Sequence, residues 1–238
     1  MNIIKEYGLE RSGTNYIKAL IEINIKDVRV LSNLFGQKHE KYKLIDYNNY
    51  NFRIDNNVIT DLNVNEVNEI KNKFINDEVF YIIIVKNPAS WIVSYNKCEW
   101  IKENRGPLNK DKIIRYMNRW NTIHNDWLDE LINNKNSKTY GILYEDLLLN
   151  PKEVIVGIAT KFGLDYSGEF KNITNMMYTG VDTPGHKNIS NTSFNKISYY
   201  LDKKYLNEIS PDLINLIDNN IECEIMDVIT TNNKNITI

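Results

Sequence analysis

The chain has 238 residues, 42% of them hydrophobic, which suffices for one well-buried core and is short for two; a single domain over residues 1–238 is expected. Its 29 basic and 31 acidic residues leave a formal charge of -2, so there is no global positive field for nucleic acid or an anionic membrane, and any anion site must be local. Cys98 and Cys223, without CxxC spacing, argue against a disulfide framework and a thiolate metal site; with a start too poor in apolar residues for a signal peptide and no run of membrane-spanning length, a soluble, cytoplasmic protein is expected.

Asn2–Tyr7 is a short, mostly apolar run that ends at Gly8, and Ile17, Leu20 and Ile21 follow at helical spacing, so the chain opens as strand, glycine loop, helix. Asn-rich stretches at Asp46–Asn57 and Asn188–Asn195 read as loops. Val79–Val85, VFYIIIV, is an unbroken β-branched and aromatic run of the kind buried on both faces of a parallel sheet. Asn87-Pro88 then supplies an N-cap and a first-turn proline for a helix carrying Trp91, Tyr95 and Cys98 on one stripe. Ile113, Met117, Trp120, His124, Trp127 and Leu131 mark one long amphipathic helix. Thr139–Tyr144 is another strand, and Asn150-Pro151 starts a helix that turns Val154, Ile155, Ile158 and Phe162 inward and stops at Gly163. Tyr205–Ile217 reads as a further amphipathic helix. Repeated strand-to-helix units predict a three-layer α/β/α fold with a central parallel sheet. Ligands of such sheets sit beyond the carboxyl ends of the strands, here Gly8–Asn15, Lys86-Asn87 and Tyr144-Glu145.

Gly8-Leu9-Glu10-Arg11-Ser12-Gly13-Thr14 keeps the glycine spacing and the hydroxyl of a GxxxxGK[ST] loop. In that loop backbone amides surround phosphates, the lysine reaches the terminal one and the hydroxyl binds magnesium. Here no lysine precedes Thr14, and the cation is Arg11, inside the loop. The result is an anion cradle less suited to ATP–magnesium chemistry. Taken alone, the loop reads equally well as a tight strand-to-helix turn with no ligand, because glycine serves that purpose too.

Two further segments make the pattern specific. Arg11-Ser12-Gly13-Thr14-Asn15-Tyr16 resembles the 5′-phosphosulfate loop of the sulfotransferases, in which a lysine or arginine precedes Ser-Gly-Thr and an aromatic follows. Lys86-Asn87-Pro88 with Ser94 resembles their 3′-phosphate segment, and Tyr144-Glu145-Asp146-Leu147 followed by Asn150-Pro151 resembles their YEDL…NP run. The resemblance implies a P-loop-like α/β domain whose sulfuryl donor is 3′-phosphoadenosine 5′-phosphosulfate (PAPS) and whose product is 3′-phosphoadenosine 5′-phosphate (PAP), with no metal expected. It puts Arg11, Ser12, Gly13, Thr14 and Asn15 around the phosphosulfate, Lys86 and Ser94 at the 3′-phosphate, and Tyr16 and Tyr144 at the adenine contacts. Lys187, in a basic late loop, is a second candidate for the 3′-phosphate, although the family's RKG form is absent there. Lys86 stands where the family usually has arginine, a point charge without the bidentate fork, and Tyr16 replaces a frequent tryptophan.

An acceptor hydroxyl or amine must lose a proton, and His39, in Lys38-His39-Glu40, is the candidate base because an imidazole accepts protons at neutral pH. By resemblance Lys38 would stabilise the leaving oxygen and Glu40 is the alternative base. His124 shares a stripe with Trp120 and Trp127 and reads as core, and His186 lies in a polar loop. Glu145 and Asp146 read as helix-capping or cation-pairing groups. The reading is a sulfotransferase acting on a small-molecule or glycan acceptor, with a P-loop kinase or a catalytically degenerate PAPS-binding module as alternatives. Acceptor contacts would come from the loops at Leu31–Asn57, Cys98–Lys110 and Val181–Asn195.

Overall fold

Parallel strands β1 (Asn2–Tyr7), β2 (Val28–Leu31), β3 (Val79–Val85) and β4 (Thr139–Leu143) lie side by side in the order β2-β1-β3-β4. A computed structural model describes residues 1–43, 45–47, 62–98, 101, 104, 106–173, 175–176, 192–193 and 197–234. The run VFYIIIV is central, as its composition predicts: Tyr81, Ile83 and Val85 enter one core, and Ile82 and Ile84 the other. Such alternation with apolar residues at every position requires helices on both faces. Burying each of these side chains stabilises the fold by about 1.5–3 kcal/mol.

One face is covered by α1 (Thr14–Asn24), α5 (Tyr144–Leu149) and α6 (Pro151–Phe162), which bring Ile17, Leu20, Leu147, Ile155 and Ile158 together. The other carries α2 (Val64–Ile75), α3 (Pro88–Asn96), α4 (Lys110–Trp127) with a π-helical extension over Leu128–Asn133, α8 (Pro211–Asp218) and α9 (Ile225–Lys234). A short helix α7 (Ile197–Leu201) lies near α5, and a small antiparallel pair joins Asn175–Met176 to Thr192–Ser193. The architecture is the three-layer α/β/α fold expected from the sequence.

Several local expectations hold for the reasons given. Asn87 caps α3 through its side-chain oxygen, which accepts from Ala89 N and Ser90 N, with Pro88 at the first position. Gly163 ends α6 in the left-handed region at φ 62°. The single helix expected over Tyr205–Ile217 is instead a 3₁₀ turn, Lys204–Glu208, followed by α8. Ser210 precedes Pro211, which keeps it extended at ψ 152° and stops one helix from running through. β2 and α2 go beyond the sequence expectation.

The strand order has a functional consequence. From β1 the chain goes to β2 on one side, while β3 lies on the other, so the connections diverge at the carboxyl ends of β1 and β3. That is the crevice where open α/β sheets bind ligands.

Candidate active site

The first wall is the turn from β1 into α1. Ser12 N and Ser12 Oγ both donate to Leu9 O, at 3.1 and 2.6 Å, and this closes the turn with Arg11 in the left-handed region at φ 68°. Such a conformation costs a non-glycine residue about 1–2 kcal/mol. Gly13 follows at φ 92° as the N-cap of α1, with no side-chain cap. The first intrahelical bonds run from Tyr16 N and Ile17 N to Gly13 O, so the amides before them lie at the helix N-terminus, where the dipole favours an anion. Both glycines are required by close approach. A Cβ at Gly13 would lie 2.6 Å from Tyr144 Cε2, and one at Gly8 2.5 Å from Ile84 Cγ2.

The opposite wall is the turn from β3 into α3. Lys86 is buried, and its Nζ donates to Ser94 Oγ at 2.9 Å and to Arg11 O at 3.4 Å, which ties this wall to the glycine loop. The eight-residue separation works because Ser94 lies two helical turns into α3, facing back to the strand end. The ammonium also stands 4.6 Å from the Tyr144 ring centroid and 3.9 Å from that of Tyr200. Tyr200 Oη is 3.3 Å from Ser94 Oγ, which itself donates to Ser90 O at 3.0 Å. Beside them Glu145 Oε1 accepts from Asn87 N at 3.4 Å; burial raises the Glu145 pKa, and the nearby Lys86 charge opposes that rise.

The third segment follows β2. Gly8 N donates to Lys38 O at 2.9 Å, and His39 Nδ1 lies 2.5 Å from Gly8 O, so the base segment and the glycine loop clasp each other. A carbonyl only accepts, so Nδ1 carries the proton and the neutral ring has its lone pair at Nε2. Burial, then the Lys38 charge, lower the His39 pKa, while Glu10, the bond to Gly8 O and Glu6 act the other way. Lys38 Nζ is buried and engaged by Glu6 Oε1 at 3.2 Å and Asn15 Oδ1 at 2.8 Å. The Glu40 carboxylate is 47% exposed and pairs with Lys43 at 3.3 Å. Tyr16 is buried in the core on the α1 face, its hydroxyl donating to Asn172 Oδ1 at 3.0 Å.

Helices α3 and α4 brace all of these segments. Trp91 Nε1 donates to Glu10 O at 2.8 Å, Trp120 Nε1 to Lys86 O at 3.3 Å and Trp127 Nε1 to Glu40 O at 3.0 Å. Arg119 Nη2 donates to Glu10 Oε1 and Oε2 at 2.8 and 3.0 Å and to His39 O at 3.3 Å. The tryptophans were legible only as core, although a buried indole N–H needs an acceptor, a signal that points to a nearby loop. Nothing local in the sequence marked Arg119 or Tyr200.

The Sulfotransferase domain family matches residues 7–227, a span that contains every segment described above. The chain belongs to the sulfotransferase family. It is similar in structure to the sulfotransferase from Alicyclobacillus acidocaldarius, at 10% identity and a TM-score of 0.43 over 96% of this chain and 98% of that one. No curated protein sequence matches. Of the residues singled out in this sulfotransferase, Arg11 to Asn15, Lys38, His39, Lys86, Ser94 and Tyr144 gather around the β1–β3 crevice, whereas Tyr16 packs into the core on the α1 face. His186 and Lys187 lie outside the described residues, as does most of Asp46–Asn57. His124 is core, as expected, with Nδ1 2.7 Å from Trp120 O. Among the described residues no group of three or more His, Cys, Asp or Glu could hold a metal ion, and no helix is long and apolar enough to cross a membrane.

Proposed function

We propose that this sulfotransferase moves a sulfuryl group from PAPS to a hydroxyl or amine of a small-molecule or glycan acceptor. The observation that carries the reading is the pairing of two cationic walls across one crevice. The glycine loop with Arg11 would face one anion and Lys86 with Ser94 another, and the bond from Lys86 Nζ to Arg11 O ties the two walls together. A ligand with separated anionic groups fits this better than a single magnesium-loaded triphosphate. The fit is supported by the backbone too, since a Cβ at Gly8 or Gly13 would fill the loop.

PAPS supplies an activated sulfuryl group with a good leaving oxygen. The residues of the chain do the rest by positioning and charge, as in phosphoryl transfer. The amides at the start of α1, with Arg11, would hold the phosphosulfate and take up charge as the sulfur–oxygen bond to the 5′-phosphate breaks. Lys86 and Ser94 would fix the 3′-phosphate, and Tyr144, packed on Gly13 and Lys86, would line the adenine side. The acceptor oxygen or nitrogen forms the new bond to sulfur in line, and its proton goes to His39 Nε2. Lys38, through Asn15, would steady the loop rather than meet the leaving oxygen directly. Glu40 would keep to the surface with Lys43, which favours His39 as the base.

The chain would act as one domain over residues 1–238. The unpaired thiols of Cys98 and Cys223 support a reducing, cytoplasmic setting. Thermal stabilisation tests the donor: PAP should raise Tm without magnesium, by mass action on the folded state. Transfer of labelled sulfuryl from PAPS across phenols, glycans, lipids and peptides then finds the acceptor. Stabilisation by ATP with magnesium and none by PAP would replace the reading with a kinase.

A further inference from the structure

Arg119 lies midway along α4, with Trp120 on Lys86 O and Trp127 on Glu40 O holding the helix against the strand ends. One of its nitrogens, Nη2, serves two segments that are far apart in the chain: the Glu10 carboxylate, inside the glycine loop, and His39 O, after β2. The pair is part-buried, with side-chain exposures of 34% for Arg119 and 20% for Glu10, so solvent screens it less than a surface pair. We propose that Arg119 is a positioning residue, which locks the His39 segment to the glycine loop and neutralises the Glu10 carboxylate that faces the base. The proposal rests on His39 being the base.

The charged groups acting on His39 are Lys38, Glu10 and Glu6, and Gly8 O holds its Nδ1. Glu10 favours the protonated ring, which has no lone pair to offer an acceptor. The guanidinium sits directly on Glu10, so in the intact site the carboxylate is opposed at contact distance. Without Arg119 that negative charge acts alone, and the fraction of His39 with a free Nε2 at neutral pH falls. The bond to His39 O goes at the same time, which loosens the backbone that aims the ring.

The test is an NMR titration of the His39 imidazole in the full chain, its signal identified by loss in His39→Gln. The midpoint should move up in Arg119→Gln, move down in Glu10→Gln and return near wild type in the double variant. In a PAPS transfer assay Arg119→Gln should lose about ten- to a hundredfold in kcat, and the acid limb of its pH profile should move up with the NMR midpoint. A merely structural strut would lower Tm and rate without moving either midpoint. If Arg119→Gln does not fold, Glu10→Gln alone decides: an unmoved midpoint overturns the proposal. Unmoved midpoints with an inactive His39→Gln overturn the Arg119 role and leave the base in place. Moved midpoints with transfer intact in His39→Gln overturn the base, and with it any catalytic use of Arg119.

Discussion

Replacing Gly13 with alanine tests how tightly the glycine loop is fitted to the rest of the site. Gly13 sits at φ 92°, and the left-handed region costs an alanine about 1–2 kcal/mol. The new Cβ would also lie 2.6 and 2.7 Å from Tyr144 Cε2 and Cδ2. Tyr144 cannot yield freely, because Lys86 and Tyr200 stand against its ring, so overpacking adds about 1–3 kcal/mol. The sum is about 2–5 kcal/mol, or roughly 4–20 °C in Tm for a chain of this size. Gly163→Ala is the control. It has φ 62° and nothing within 4 Å of its Cβ position, so it should show the conformational part alone. Differential scanning calorimetry measures both, and PAP titration should show weaker binding in Gly13→Ala only. Equal losses in the two variants would refute the packing of Tyr144 on the loop.

Two further outcomes follow from the histidines. His39→Gln should lower kcat by about 10²–10⁴ with PAP affinity nearly unchanged. Because burial and Lys38 lower the His39 pKa, the wild-type rate should stay level through neutral pH and decline only below the ordinary histidine range; decline setting in above it would contradict the assignment. Burial lowers the His124 pKa to about 3. The folded chain thus keeps His124 neutral where the unfolded chain protonates it, so stability is full above about pH 6.5 and lost as pH falls towards 3. At pH 5 the loss is about 2 kcal/mol. Urea unfolding at pH 7 and 5 should show that excess loss in wild type relative to His124→Gln, and parallel losses would refute it.

What the sequence shows is what lies close together along the chain. Gly8 to Tyr16 and Lys86 to Ser94 each form one strand end and the following helix, so the resemblance to the sulfotransferase segments could be read locally, and Lys86 does meet Ser94. β2 was hidden because it is four residues long and only half buried, which leaves no alternation to read. α2 had a usable signal, the capping box of Asn63 with Glu66, submerged in an Asn-rich stretch. Lys5 and Glu6 are the charged residues of the mostly apolar first strand. Both are fully buried, and their partners Ser32, Gly36 and Lys38 come from the far end of the next crossover. The same is true of the braces: Arg119 and Glu10 are 109 residues apart, and only the strand order brings them together.

The central claim is that one ligand spans both cationic walls, and the most direct measurement compares PAP with adenosine 5′-phosphate, which lacks the 3′-phosphate. Calorimetric titration of wild type should show PAP binding more tightly by about ten- to a hundredfold, the worth of charge-assisted bonds from Lys86 and Ser94. Lys86→Met keeps the side-chain volume between the rings of Tyr144 and Tyr200 and removes the charge. The account predicts that this variant binds the two nucleotides almost equally. An undiminished preference for PAP in Lys86→Met would contradict it.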